Sequence, residues 1–494
     1  MPARQIAVGS QGRLWGDHMS RIPLKCTMVL LIGSVALASC AGRGFSSGGG
    51  GSGSGTAPVV LTMTDTPPTN VSILSAEVTL TGATLNPGSV SVFSGSTTLE
   101  LTRLQTDIAF ISTTLVPPGS YTGLTLTFSN PMLTFENDTT SPIVAGVGSP
   151  TPTCATGAIC TIQLVATNLT TIITLSPTMT VSATSGAGLL ADVNLNNLLS
   201  ATLGADFMNG VTVSEFTPAS PGAPPVGAED VVGHVTSTDA THSKFSLQNA
   251  VGTVSLTVDN TTTFLNFGTC TTPSIACVQT NQILSVDISI RADGTPVARN
   301  VLFEDADSTD IEVEGVITST GSLTFKMVTL AESAAITGLP IGTLSTVTYA
   351  VTTPSDADFI QADSTQITTG FPFDVNVPTD LIVGQEVQVR RNPASSGASI
   401  TADRVRLRSS RVSGRYQTGP PTLFTLDTLP SLFVPRGAAV IQVQTSVPTI
   451  CAGIGIGTPP ICSLLAANHI ESVRGPLFAN SGSPTLVASK VLQH

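Results

Sequence analysis

The chain of 494 residues carries 20 Lys and Arg against 32 Asp and Glu, a formal net charge of −12, and only 11% of its residues are charged. Such an acidic balance argues against nucleic acid as a partner, because neutralising phosphate needs basic surface. One tryptophan and three tyrosines leave few rings for stacking on bases or sugars. Abundant Ser, Thr, Gly and Val, with no charged helix-forming stretches, point to an all-β chain of about three or four domains.

From the start of the chain, "MPARQIAVGSQGRLWGDH" fits no part of an export signal. Met19 is the expected physiological start, with a genuine long leader as the alternative. Arg21 and Lys25 then open a positive region, and residues from Thr27 to Ala38 form an apolar run. That run is too short to span a bilayer, which needs about 20 apolar residues. The tetrad Leu37-Ala38-Ser39-Cys40 resembles the lipobox of bacterial lipoprotein signal peptides. The resemblance implies a lipid on the Cys40 thiol, cleavage just before it and acylation of the new amino terminus. The membrane is then a partner through that lipid, held stably because more than one acyl chain is attached. Ala41 in place of an aspartate implies the outer membrane, on its periplasmic or surface face, where the host has one. In the other reading this is an ordinary cleaved signal and Cys40 is incidental. Residues 1–39 are thus leader and signal peptide, and 40–57 the lipidated cysteine and a flexible Gly/Ser tether.

Residues 58–216 form the N-terminal domain. "SAEVTLTGATL" and "GSYTGLTLTFSNPMLTF" alternate apolar and polar residues as half-buried strands do. Leu124, Leu126 and Phe128 should face the core, and Thr125 and Thr127 the other side. The stretches "LTMTDTPPTNVSILSAEVTL", "LVPPGSYTGLTLTF" and "LLADVNLNNLL" resemble, in that order, the bacterial lipoprotein family called domain of unknown function 4382. That likeness covers about 150 residues, with Pro117-Pro118-Gly119-Ser120-Tyr121 departing slightly from a plainer Gly-Tyr turn. It implies a β-sandwich and brings no enzymatic activity. A proline-rich linker, "TPASPGAPPVGAED" at 217–230, follows.

The remainder contains an internal repeat. Three segments begin alike at 231, 313 and 412, aligning Gly233, Gly315 and Gly414, and further on Phe245, Phe325 and Phe424. They end alike in "ARNVLFE", "ADRVRLR" and "ASKVLQH", which pair Ala298/Val301 with Ala402/Val405 and Ala488/Val491. Each of the units 231–308, 309–408 and 409–494 is long enough for a small β-barrel. The repeats resemble a second family, domain of unknown function 5666, which implies an OB-like barrel. The shared glycine should sit where the first strand bends or another backbone approaches closely.

Setting aside Cys26 and Cys40, six cysteines fall into close pairs: Cys154/Cys160, Cys270/Cys277 and Cys451/Cys462. No histidine or second CxxC stands at zinc-site spacing, so disulfides in an oxidising compartment are expected, stapling loop tips. Redox-active cysteines would need an electropositive setting that the sequence does not offer.

No HExxH or GxSxG occurs, and "GAGLLA" at 186–191 mimics a dinucleotide motif without the strand-turn-helix that gives it meaning. Two charged features remain. In "EDADSTDIEVE", Asp305, Asp307 and Asp310 fall between the first two repeats, either as a solvated acidic junction or as oxygen ligands for calcium. Arg404, Arg406 and Arg408 share one strand face while Val405 and Leu407 point inward. Such a row could grip an anionic glycan or lipid headgroup, or balance carboxylates on adjoining strands. The expected protein is therefore all-β, a β-sandwich followed by three small OB-like β-barrels. It is lipid-anchored in the cell envelope and non-enzymatic, presenting binding or spacer modules, with an envelope protein as a further possible partner. A hydrolase using carboxylates such as Asp65 or Glu77, and a subunit of an adhesion assembly, are the competing classes.

Overall fold

Alternation of apolar and hydroxyl side chains builds the N-terminal domain. In the strand Gly119–Glu136, Leu124, Leu126 and Phe128 are buried, while Thr125 and Thr127 stay partly exposed. The computed structural model describes residues 55–493 apart from 67–71, 184–186, 217–226, 250–252, 269, 292–294, 307–310, 335, 350–370, 372, 374–378, 434–437, 446–448, 454–464, 466–467 and 481–482. Cys40 and its tether lie outside the described residues.

One sheet of the domain is ordered Val211–Phe216, Ala187–Asn194, Ala57–Thr66, Ala109–Val116, its two central strands running parallel. The other is ordered Thr170–Val181, Gly119–Glu136, Ile73–Asn86, Val90–Glu100, with Ile159–Gln163 paired to the far half of Gly119–Glu136. Val59, Leu61 and Met63 of the first sheet and Val78, Leu80 and Phe128 of the second share one core, so the domain is a β-sandwich. Phe128 stacks on Phe207 with ring centroids 4.6 Å apart. The Tyr121 hydroxyl donates to the Pro117 carbonyl at 2.9 Å and closes the Pro-Pro-Gly-Ser-Tyr turn. Residues 187–191 of "GAGLLA" lie in the strand Ala187–Asn194, which has no strand-to-helix turn at that point to cradle a phosphate.

Three barrels follow, built on one strand plan. The first uses Gly227–Asp239, Lys244–Gln248, Thr253–Thr257, Ile283–Ile290 and Pro296–Asp305. The second uses Ile311–Thr320, Thr324–Glu332, Leu344–Tyr349, Glu386–Arg391 and Ser399–Leu407. The third uses Ser409–Thr418, Leu423–Asp427, Ile441–Gln444 and Ile470–Phe478, and its last strand is interrupted into Thr485–Val487 and Lys490–Gln493. In every case the first strand pairs with both the second and the fourth, the third runs parallel to the fifth, and the fifth returns antiparallel to the fourth. Five strands thereby close on themselves in an OB-like barrel. The repeat carries the same inward residues: Phe245, Phe325 and Phe424, with Ala298/Val301, Ala402/Val405 and Ala488/Val491, are all buried.

The shared glycine has a steric cause. A Cβ at Gly233 or Gly315 would lie 2.5 Å from the carbonyl oxygen of Gln248 or Val328, and one at Gly414 would lie 2.9 Å from that of Asp427. In the second barrel the ladder shifts register at Glu314/Gly315, where the first strand folds over the second. Gly315→Ala is accordingly expected to cost about 1–3 kcal/mol, the usual penalty for overpacking a rigid site. Chemical unfolding followed by circular dichroism measures it, and a neutral result would remove the close-approach explanation.

Disulfides join Cys154 to Cys160 and Cys270 to Cys277, with Cα separations of 5.8 and 6.0 Å. Cys451 is also disulfide-bonded, and Cys462 lies outside the described residues. Sandwich and barrels belong to a single compact unit, Gly53–His494.

Candidate functional site: a buried ionic junction

Period two places the charges of the second barrel on its outer face. Along Ile311–Thr320, Val313 points into the core while Glu312 and Glu314 point out. In register, Glu312 lies beside Arg390 and Arg390 beside Arg404, and in the next row Glu314 lies beside Gln388 and Gln388 beside Arg406. Beneath this face Val387, Val389, Val405 and Leu407 are buried. The outer charges are themselves buried, because other domains dock on them.

The first barrel supplies Glu304 and Asp305 from the end of its last strand. Arg406 and Arg408 reach Glu304 at 2.5 and 2.9 Å, and Arg408 also donates to Ser285 of the first barrel at 3.0 Å. Arg404 pairs with Glu312 at 2.6 Å and with Asp305 at 3.4 Å, and Arg390 pairs with Asp305 at 3.1 Å. Glu314 receives Arg408 at 3.2 Å and Arg103 of the sandwich at 3.0 Å. The third barrel contributes Arg411, which grips Asp107 of the sandwich and Glu386 of the second barrel, both at 2.8 Å. Lys490 approaches Asp107 at 3.7 Å. All four domains thus meet in one charged junction.

The electrostatics follow from this enclosure. Burial alone would raise the Asp107 carboxyl, but Arg411, Arg474 and Lys490 hold it far below the ordinary carboxylate range. Burial lifts Glu312 to about 7 even beside Arg404, and the neighbouring Glu304 and Asp305 push it the same way. A buried guanidinium–carboxylate lattice of this kind is a lock: each member is costly to leave alone once its partner is gone.

Of the two readings of the arginine row, the ion pairs support the one in which it balances the protein's own carboxylates. Arg404, Arg406 and Arg408 do share a face, but their side chains are only 10%, 12% and 2% exposed and are spent on internal carboxylates. They do not form an open row for an anionic glycan or headgroup. Asp305, proposed as a calcium ligand, faces Arg390 and Arg404, whose positive charges oppose a cation there. Asp307 and Asp310 lie outside the described residues. Among the described residues no group of three or more His, Cys, Asp or Glu side chains is placed to hold a metal ion.

The carboxylates considered for hydrolysis lie in the sandwich. Glu77 stands directly across from Glu100, and burial together with that neighbour raises it to about 7. Glu100 is taken up by the Ser75 and Thr102 hydroxyls and by the Ala76 and Thr102 amides. Asp65 is 1% exposed, and burial followed by nearby Asp192 raises it well above the ordinary range. A sealed carboxyl of this kind has no route to a substrate.

These buried acids set a pH dependence. Glu77, Glu332 and Glu471 are each raised to about 7, chiefly by burial. Between the unfolded value near 4.3 and about 7, the folded chain holds more protons than the unfolded one. Their contribution is therefore complete below the unfolded value and lost as pH rises to about 7. Each group accounts for at most about 2.5 kcal/mol between pH 5 and pH 8, less where water reaches the carboxyl, so unfolding free energy is expected to fall by several kcal/mol over that range. Urea titrations at the two pH values check this, and a rise instead would refute it.

Reading residues alone missed Glu304, Glu312, Glu314, Glu386, Asp107 and Arg103. One signal was available. At the repeat ends "ARNVLFE" and "ADRVRLR", Glu304 and Arg408 occupy the same position with opposite charge, and they bond to each other. Structure and sequence together define an all-β protein of one sandwich and three barrels, with several buried ion pairs running between them. No family model, curated protein or solved structure matches the chain.

Proposed function

We propose that the chain is a non-enzymatic lipoprotein of the bacterial cell envelope, tethered through Cys40 and presenting its sandwich and three barrels as one rigid body outside the cytoplasm. The observation that carries this reading is the ionic junction. A chain built to move its modules independently would leave them joined by linkers, whereas here buried charge pairs tie every domain to another. Those pairs turn Arg103, Arg404, Arg406, Arg408 and Arg411 inward onto the protein's own carboxylates. The lipobox-like tetrad and the Gly/Ser stretch after it support the anchored location, and the disulfides agree with an oxidising compartment.

The test is metabolic labelling of the full chain with an alkyne-bearing fatty acid. Cys40→Ala is expected to abolish labelling and to move the protein from the membrane to the soluble fraction. Labelling that persists in the variant, or a native protein recovered unlipidated from cytosol, would overturn the proposal.

A further inference from the structure

The three barrels place different chemistry at one equivalent position. In each, the shared glycine of the first strand lies across from a residue of the fourth strand, and that residue across from one of the fifth. The trio is Gly233, Leu284 and Phe303 in the first barrel and Gly315, Val387 and Leu407 in the second. In the third it is Gly414, Glu471 and Gln493. Period-two geometry turns this trio inward, since Val412 and Tyr416, Val473, and Val491, two residues away on the same strands, are core residues. An acid and an amide thus stand in a layer that the sister barrels fill with hydrocarbon.

Glu471 is 0% exposed. Its Oε1 accepts from Gln493 Nε2 at 2.9 Å, and its Oε2 is buried without a hydrogen-bond partner. Tyr416 faces it from the first strand, with its hydroxyl committed to the Gly419 carbonyl at 2.6 Å. Arg415, Arg474 and Lys490 occupy the outer faces of the same three strands, Arg415 on Asp427 and the other two near Asp107. His469 is exposed just before the fourth strand. The undescribed stretches 446–448, 454–464 and 466–467 contain no carboxylate or cationic side chain, and Arg436 and His494 lie outside the described residues. A neutral acid suits this setting, whereas an ionised one would be a buried charge with no cation beside it among the described residues. Burial accordingly lifts the Glu471 carboxyl to about 7.

We infer that Glu471 and Gln493 form a proton-operated latch, which holds the strand Lys490–Gln493 on the third barrel while Glu471 is neutral and lets that strand open when Glu471 ionises. The strand is four residues long, so few backbone hydrogen bonds oppose its opening. Once it opens, Glu471 meets water and returns toward its ordinary value near 4.3. The closed form therefore holds the proton more tightly than the open one. Closure is fully supported below about 4.3, loses support as pH rises to about 7, and changes little above that. Opening also withdraws Lys490 from Asp107, so the latch bears on the contact between the third barrel and the sandwich. The inference is independent of where the chain is anchored.

The experiment is amide hydrogen exchange of the full chain between pH 5 and pH 8, read as protection factors so that the intrinsic pH dependence of exchange cancels. Protection at Val491 and Leu492 is expected to fall about tenfold or more from pH 5 to pH 7 and then to level off. It should also lie below the protection at Leu426 of the same barrel, because the strand opens alone. In Glu471→Gln the fall at Val491 and Leu492 should be several-fold smaller. Should glutamine disturb the barrel, Glu471→Leu restores the residue type of Leu284, and the same flattening is expected with higher protection at neutral pH. A native profile without a fall, a fall that both variants retain, or protection at Leu492 equal to that at Leu426 would each overturn the inference.

Discussion

Glu304→Gln is expected to destabilise the folded chain by about 3–5 kcal/mol, the cost of stranding buried charges whose partner has been removed. Glu304 is the shared acceptor of Arg406 and Arg408, whose side chains are 12% and 2% exposed. Glutamine keeps the shape but not the charge, so two guanidinium groups lose their main counter-ion together. Unfolding should be followed by circular dichroism, because the single tryptophan, Trp15, lies outside the described residues. Two comparisons make the result specific. Asp427→Asn removes the partner of Arg415, a side chain 45% exposed, and should change stability by less than about 1 kcal/mol. In an Arg406→Gln, Arg408→Gln background, Glu304→Gln should cost much less than it does alone, because members of one network are not additive. A loss below about 1 kcal/mol for Glu304→Gln alone would show that water reaches the junction and that the lock is weak.

Asp107→Asn is expected to cost about 3 kcal/mol and to loosen the contact between sandwich and third barrel. Arg411 would keep Glu386 but lose its bridge to the sandwich, and Lys490 would lose its nearest carboxylate among the described pairs. The same two domains are joined nearby, where the Leu432 amide donates to the Ser72 hydroxyl at 2.9 Å. Hydrogen exchange at Leu432 should accelerate about tenfold in the variant if the contact opens as a unit. The pH profile gives a second reading. Because the folded Asp107 carboxyl is depressed, its stabilisation is present above the unfolded value near 3.9 and is lost as pH falls toward the folded value. The variant should lack that part of the acid-induced loss. An unchanged acid limb together with unchanged exchange at Leu432 would show that Asp107 does not hold the domains together.

Much of the fold is legible in the sequence because it depends on local rules. Period-two alternation identifies Leu124, Leu126 and Phe128 as core, and the recurring glycine and phenylalanine mark the first and second strands of each barrel. Close cysteine spacing identifies the bonds Cys154–Cys160 and Cys270–Cys277. The junction was only half legible. That Arg404, Arg406 and Arg408 share a face follows from strand geometry, but what that face meets depends on how whole domains dock. Arg408 and Glu304 are 104 residues apart, and Arg411 and Asp107 are 304 apart. No periodicity within one strand reports such a distance.

The opposite charges at equivalent ends of the first and second repeats bear on biogenesis. Tandem copies of one module can dock in the wrong order or swap between neighbouring chains, a common failure of repetitive polypeptides. Two acidic ends, or two basic ones, would repel, so Glu304 against Arg408 admits one arrangement and penalises the homotypic alternatives. A barrel docked in the wrong order would set like charge against like at this contact, which charge pairing in the native order avoids.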